Sequence, residues 1–324
     1  MALFSVNQRA VCIVKDIINN EEELNVKVIK LKNGATVIDM GVEVGGGWIA
    51  AKRFCEATIG GLGEIKWSTF HFPGKDLTLP AVEAYIDNPI EATLSSQFSG
   101  WRVTEMPPNE QGIAPIGSGP ARAAAYKDRV ATSFPYKDTT HEAVLAIQGT
   151  QLPDEEVAEK VAADCKISPQ NLYILVAPTG SLVGCVQVCA RNVEPSMWRM
   201  HNKGFDVSKI ISGYGISPIP PVTRDELRAM DRVNTCLLYG TSVYYVVDCE
   251  DEEIEAVIDS FPLSASYLYG TPFIEIFEKG NRDFYEIDKD VHTVAKFTMN
   301  NQRTGRTFSA GVIRHDMLEQ SLFT

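Results

Sequence analysis

The chain is poor in the features that announce a metal centre, a disulfide framework or a membrane anchor. Its seven cysteines are an odd number and none falls in a CxxC pair. Neither a zinc ribbon nor a stapled secreted domain is indicated. Five histidines, at 71, 141, 201, 292 and 315, show no HExxH or HxH spacing, so metal ligation is disfavoured. No apolar run approaches the roughly 18 residues that a membrane helix requires. No signal peptide opens the chain and no tandem repeat is visible. Basic residues are outnumbered 30 to 42, giving a formal charge of −12, and no basic run of the nucleic-acid type occurs. These absences predict a cytoplasmic, reduced protein with no membrane and no nucleic-acid partner. Such a surface favours cationic or neutral ligands unless basic residues gather locally.

What is present is an ordinary globular balance: 324 residues, 44% hydrophobic and 22% charged. That length suggests two domains, each with a sizeable core. Ser5 to Gln8 reads as a capping box before an amphipathic helix. Asn33-Gly34 between alternating apolar runs predicts a hairpin. Trp48 to Thr58 looks helical, Ile65 to Phe70 extended, and Met106 to Gly112 a loop. Glu142 to Gln148 and Leu172 to Ala177 read as buried strands around a helix that starts at Pro153-Asp154. Ser212 to Gly215 and Ser217 to Pro221 read as irregular. Thr223 to Glu226 predicts a capped helix, Glu250 to Ser260 an acidic helix, and the tail a hairpin around Asn300 to Gly305 before a closing helix. Gly45-Gly46-Gly47 and Gly60-Gly61-Leu62-Gly63 do not form GxGxxG after a strand, so a dinucleotide site is not indicated. Strands and helices alternate without a strict βαβ rhythm. The expected fold class is α/β (α+β-like), with two layered domains rather than a doubly wound Rossmann sheet. Residues 1–112 with 285–324 are expected to form one domain, and 113–284 the other.

The most informative stretch runs from Val176 to Gly204. Alternation of small and apolar residues from Leu182 to Ala190 predicts a half-buried strand. Pro195 then opens a short helix ended by Gly204. On that reading Cys185 and Cys189 lie about 13 Å apart along a strand, too far for a disulfide. Arg191 and Glu194 converge only because the chain turns from strand to helix between them. Two readings follow: an exposed ion pair worth about 0–1 kcal/mol, or a general base whose water Arg191 holds.

A second stretch, Ile116 to Ala125, sends glycines into a helix with Pro120 at its first position and Arg122 in its first turn. Free backbone N–H groups there suit a phosphate. An ordinary capped helix after a tight turn explains the same residues.

Taken together, several stretches resemble methenyltetrahydromethanopterin cyclohydrolase. They are Gly117-Ser118-Gly119-Pro120-Ala121-Arg122-Ala123, Gln151 to Glu155, Ala177-Pro178-Thr179 through Gln187, Arg191 with Glu194, Ser212-Gly213 with Pro218-Ile219, Tyr269 to Phe273 with Ile276-Phe277, and Asp283-Phe284-Tyr285 with Ile287-Asp288. They occur in the family's order from about residue 5 to the C-terminus. The resemblance implies a homotrimer of two-domain subunits with the pterin in a cleft between domains. It implies reversible hydrolysis of a cationic methenyl group to the formyl derivative, without metal or organic cofactor. It places the catalytic pair on Arg191 and Glu194. Candidate substrate-binding residues are Gln97, Gly117, Ser118, Gly119, Arg122, Thr179, Ser181 and Gln187, with an anionic substrate tail expected at Gly117 to Arg122. Two other functions compete, a cyclohydrolase acting on a folate and a non-catalytic pterin-binding relative.

Overall fold

The computed structural model describes residues 4–323. Ser5 caps α1 (Val6–Asn19) by accepting from the Gln8 amide at 3.1 Å, as the capping box predicts. The Asn33-Gly34 turn, with Gly34 at φ +90°, joins β1 (Lys27–Lys30) to β2 (Thr36–Asp39). Next come α2 (Trp48–Thr58) and the antiparallel pair β3 (Gly63–His71) and β4 (Thr78–Asp87). A π-helical segment, Ile90–Gln97, leads to β5 (Trp101–Arg102) and β6 (Ile116–Ser118). The short helices α3 (Ala121–Ala125) and α4 (Arg129–Thr132) precede β7 (Ala143–Gln148), α5 (Glu155–Cys165) and β8 (Leu172–Ala177). Two helices follow without an intervening strand, α6 (Leu182–Cys189) and α7 (Glu194–Asn202). The chain then forms β9 (Ile210–Pro218), α8 (Glu226–Thr235), a second π-helical turn at Cys236–Gly240 and β10 (Ser242–Val247). It closes with α9 (Asp251–Glu255), α10 (Phe273–Lys279), β11 (Lys296–Asn301), β12 (Thr307–Gly311) and α11 (His315–Leu322).

The strands form two six-stranded mixed sheets, ordered β1-β2-β8-β7-β6-β5 and β12-β11-β10-β9-β4-β3. In the first, β2, β8 and β7 are mutually parallel. In the second, β10 and β11 are the one parallel pair among the described residues. This is the layered α/β architecture expected from the sequence. The sheets nevertheless divide the chain otherwise than at residues 112 and 285. The β1–β2 hairpin joins β8, whereas β9 and β10 join β4 and β11. The α6–α7 segment bridges the two layers. α6 leaves the end of β8 and packs on α2 and α8, while the turn after it packs on the second sheet. There Tyr245 Oη donates to the Val193 carbonyl at 3.2 Å, and a Cβ on Gly215 would lie 2.4 Å from the Asn192 side chain.

Four local expectations are corrected. Residues 182–189 are a helix, not a strand. All but Leu182 are buried, so nothing forces a polar face and the alternation of small and larger residues mimics period two. Cys185 and Cys189 are therefore one helical turn apart with their thiols in contact, both buried and free. The supposedly irregular segment from Ser212 is the central strand β9, whose glycines admit Asn192 and Tyr245 against the sheet. The acidic helix is one short turn, α9, followed by a 3₁₀ turn at Ile258–Ser260. α8 is capped by Asp225, whose carboxylate accepts from the Leu227 and Arg228 amides, and not by Thr223.

Candidate active site

The carboxyl ends of the parallel strands β7 and β8 deliver the site, as open α/β sheets generally do. After Ala177 the chain turns through Pro178-Thr179-Gly180-Ser181. Ser181 Oγ caps α6 by accepting from the Gly184 amide at 3.0 Å. Gly184 cannot be larger, since a Cβ would sit 1.8 Å from the Pro178 carbonyl oxygen. This close crossing fixes the direction of α6. Its last turn presents Gln187, one turn later Arg191 follows, and Glu194 stands in the first turn of α7. Two helices meeting at Ala190–Val193 thus bring the pair together.

Arg191 and Glu194 are 6% and 4% exposed, so this is a buried pair and not a surface bridge. Arg191 Nε donates to Glu194 Oε2 at 3.1 Å. Its Nη1 donates to Ser118 Oγ and Gln187 Oε1, each at 3.4 Å, and its Nη2 to the Gln97 carbonyl. Four of the five guanidinium N–H groups are thereby engaged. Burial pushes the Glu194 carboxyl above the ordinary range, opposed by the guanidinium charges of Arg191 and Arg122. Burial pulls Arg191 down, opposed by Glu194.

Beyond Gln187 the polar chain continues. Gln187 Nε2 donates to Gln148 Oε1 at 3.3 Å, and Gln148 Nε2 donates to Thr179 Oγ1. The Thr179 and Gly180 amides in turn donate to Glu226 at 3.1 and 2.7 Å. Glu226 is itself buried and its carboxyl is pushed up by desolvation.

Arg191 and Glu194 line a recess of about 40 Å³, room for water and little more. Gln148, Met230, Leu237, Leu238, Phe284 and His292 also line it. Burial, with Lys289 and Arg191 nearby, pushes His292 down to about 4, so its imidazole is neutral at physiological pH. Among the described residues no group of three or more His, Cys, Asp or Glu side chains is placed to hold a metal ion.

The expected site residues divide into two groups. Gln97, Ser118, Thr179 and Gln187 meet at the pair or on the chain leading to it. Gly117 and Gly119 belong to the strand end that carries Ser118. A Cβ on Gly117 would lie 2.6 Å from the Trp101 carbonyl oxygen, and Gly119 sits at φ +97°. Ser181 is the α6 cap and lies against Gly41, facing another groove. Arg122 is fully buried. It grips Asp128 with Nη2 and Nε at 2.7 and 3.1 Å, and its Nη1 donates to the Leu94 and Ser96 carbonyls. Four of its five N–H groups are thus taken inside the fold. The Gly119 amide likewise donates to the Ser96 carbonyl, so the anion-binding geometry expected at this helix start is spent internally. Sequence reasoning missed Gln148, Glu226 and His292. The one available signal was an amide closing the otherwise apolar strand Ala143–Gln148.

Residues 5–322 match the model of a family described as Cyclohydrolase (MCH). The chain is 40% identical over 323 residues to methenyltetrahydromethanopterin cyclohydrolase of Methanocaldococcus jannaschii, covering 99% of this chain and 98% of that one. Identity is 38% over 322 residues to the protein of that name from Methanothermobacter marburgensis, with 98% and 99% covered. It is 36% over 322 residues for Methanosarcina barkeri, with 98% of each chain covered.

Proposed function

The chain belongs to the methenyltetrahydromethanopterin cyclohydrolase family and is a hydrolase of that kind, and we propose that it reversibly hydrolyses methenyl-tetrahydromethanopterin to the formyl derivative, with Glu194 as general base and acid. The observation that carries this reading is the buried Arg191–Glu194 pair on the wall of a recess the size of a few waters.

The chemistry suits these groups. A methenyl bridge between two nitrogens is an amidinium-like cation whose carbon is already electrophilic, so no metal or organic cofactor is needed to activate it. Water must lose a proton as its oxygen bonds to that carbon, and Glu194 accepts it. Collapse of the adduct breaks one C–N bond. One of the water's two protons ends on the departing nitrogen and the other is released, which balances the loss of the substrate's positive charge. A carboxylate raised by burial is a better base for this step than an exposed one. Arg191 keeps it ionised and aims it, and the fifth guanidinium N–H can hold the water.

The substrate comes from the relatives' names, and the folate alternative is separated by assay. Turnover of methenyl-tetrahydromethanopterin, followed by loss of the methenyl absorbance and at least about a hundredfold faster than with the folate counterpart, supports the reading. Preference for the folate replaces the substrate. Binding of either without turnover makes the protein a pterin-binding relative. We also propose a homotrimer located in the cytoplasm.

A further inference from the structure

The recess beside Glu194 adjoins a larger chamber of about 500 Å³, and the two share Ser99, Phe284 and His292 as walls. Four basic side chains line this chamber: Arg129, Arg199, Lys203 and Lys289. Two of its three carboxylates are already neutralised, Asp128 by Arg122 and Asp290 by Arg199. Asp288 accepts from Tyr267 Oη and from the Asp290 amide. Arg129 and Lys203 have no ion pair among the described residues, and Lys289 donates only to the Tyr285 carbonyl at 2.8 Å. Three exposed cations therefore face one carboxylate, in a chain whose formal charge is −12. The opposite side of the recess has the reverse character. There Gln148 and Met230 are shared with a pocket lined by Thr179, Asn109, Gln151 and the buried carboxylate Glu226.

We propose that the outer chamber binds an anionic group, carboxylate or phosphate, carried on the substrate away from its reacting carbon, through Arg129, Lys203 and Lys289. The inference rests on the cyclohydrolase reading above. A chamber with this excess of positive charge repels a cationic methenyl group and attracts an acidic extension. The amide and carboxylate side suits the cationic ring. The charge asymmetry across the recess thus sets which way the substrate lies over Glu194. Binding remote from the reacting carbon is the same in the ground and transition states, so its loss appears in KM and not in kcat.

The test uses the full chain with all three residues changed, Arg129→Gln, Lys203→Gln and Lys289→Gln, and a control with Lys27, Lys66 and Lys296 changed to Gln. On methenyl-tetrahydromethanopterin, the chamber variant should show KM raised at least about tenfold with kcat within about twofold, and a weaker dependence of KM on salt. The control should follow the wild type. With a truncated methenyl substrate lacking the acidic extension, the gap between the chamber variant and wild type should close. Inorganic phosphate should compete with the intact substrate in the wild type and less in the variant. A chamber variant with unchanged KM while the wild type turns over overturns this inference and leaves the cyclohydrolase reading standing. Equal losses on intact and truncated substrates also overturn it. If the wild type fails to turn over, the cyclohydrolase reading falls. Calorimetric binding of phosphate then decides the chamber by itself: binding lost in the variant upholds the anion site, and binding kept or never present overturns it.

Discussion

Gln187 lies one helical turn before Arg191, and its Oε1 accepts from Arg191 Nη1 at 3.4 Å while its Nε2 donates to Gln148. An amide can do both at once, so Gln187 transmits a fixed polarity from Thr179 through Gln148 to the guanidinium. Gln187→Leu should remove one of the four groups that hold the Arg191 guanidinium and lower kcat by about tenfold, the scale of one misplaced charge-assisted hydrogen bond. Gln148→Leu should act in the same direction, and the double variant should be less than additive. Steady-state kinetics of the three proteins check this. Additive effects would mean that the two amides act separately.

Arg122 should prove structural. Its guanidinium is fully buried on Asp128 and two carbonyls, and Arg122→Met would leave the Asp128 carboxylate without its counter-charge and take a donor from each carbonyl. The expected loss is about 3–5 kcal/mol of stability, read as a lowered denaturation midpoint. A stable Arg122→Met protein with only a raised KM would restore the anion-binding role that its position in the sequence suggests.

Much of the scaffold is legible in the sequence because local chemistry decides it. The Ser5 cap, the Asn33-Gly34 hairpin, the buried strands Ala143–Gln148 and Leu172–Ala177 and the Pro195 helix start all need only near neighbours. α6 is not legible, because a helix buried on every side carries no amphipathic signal, its valines favour extended chain, and its glycine and cysteines are poor helix formers. Arg191 and Glu194 still meet, by a helix–helix turn where a strand–helix turn was expected. β9 hides because its glycines serve packing against Asn192 and Tyr245, contacts set by distant segments. Gln148, Glu226 and His292 join the site across 39 residues or more of chain, which no local pattern reports.

The pH profile should carry the imprint of the buried pair. The base must be ionised, so the rate should fall as pH drops through an apparent pKa above the ordinary carboxylate range, since burial raises Glu194. Removing Arg191 removes a charge that favours the ionised form, so Arg191→Ala should lower the rate and move that limb to higher pH. His292, held down to about 4, should not set it. Activity measured against pH for wild type, Arg191→Ala and His292→Phe checks the assignment. A limb that vanishes in His292→Phe would transfer it to the histidine.

Assembly is tested by mass. The proposed trimer should scatter light as three chains of 35.7 kDa, unchanged by reductant, because the cysteines are free and all but Cys12 are buried. A monomer at working concentration would remove the trimer from the account.

The most direct test is the Glu194→Gln protein assayed on methenyl-tetrahydromethanopterin, with binding measured separately. The substitution keeps the shape of the side chain and an oxygen for Arg191, but it cannot take a proton from water. The account predicts substrate binding within a few-fold of wild type and kcat lower by about 10²–10⁴. Near-normal turnover by Glu194→Gln would contradict it and leave the Arg191–Glu194 pair a structural element of the core.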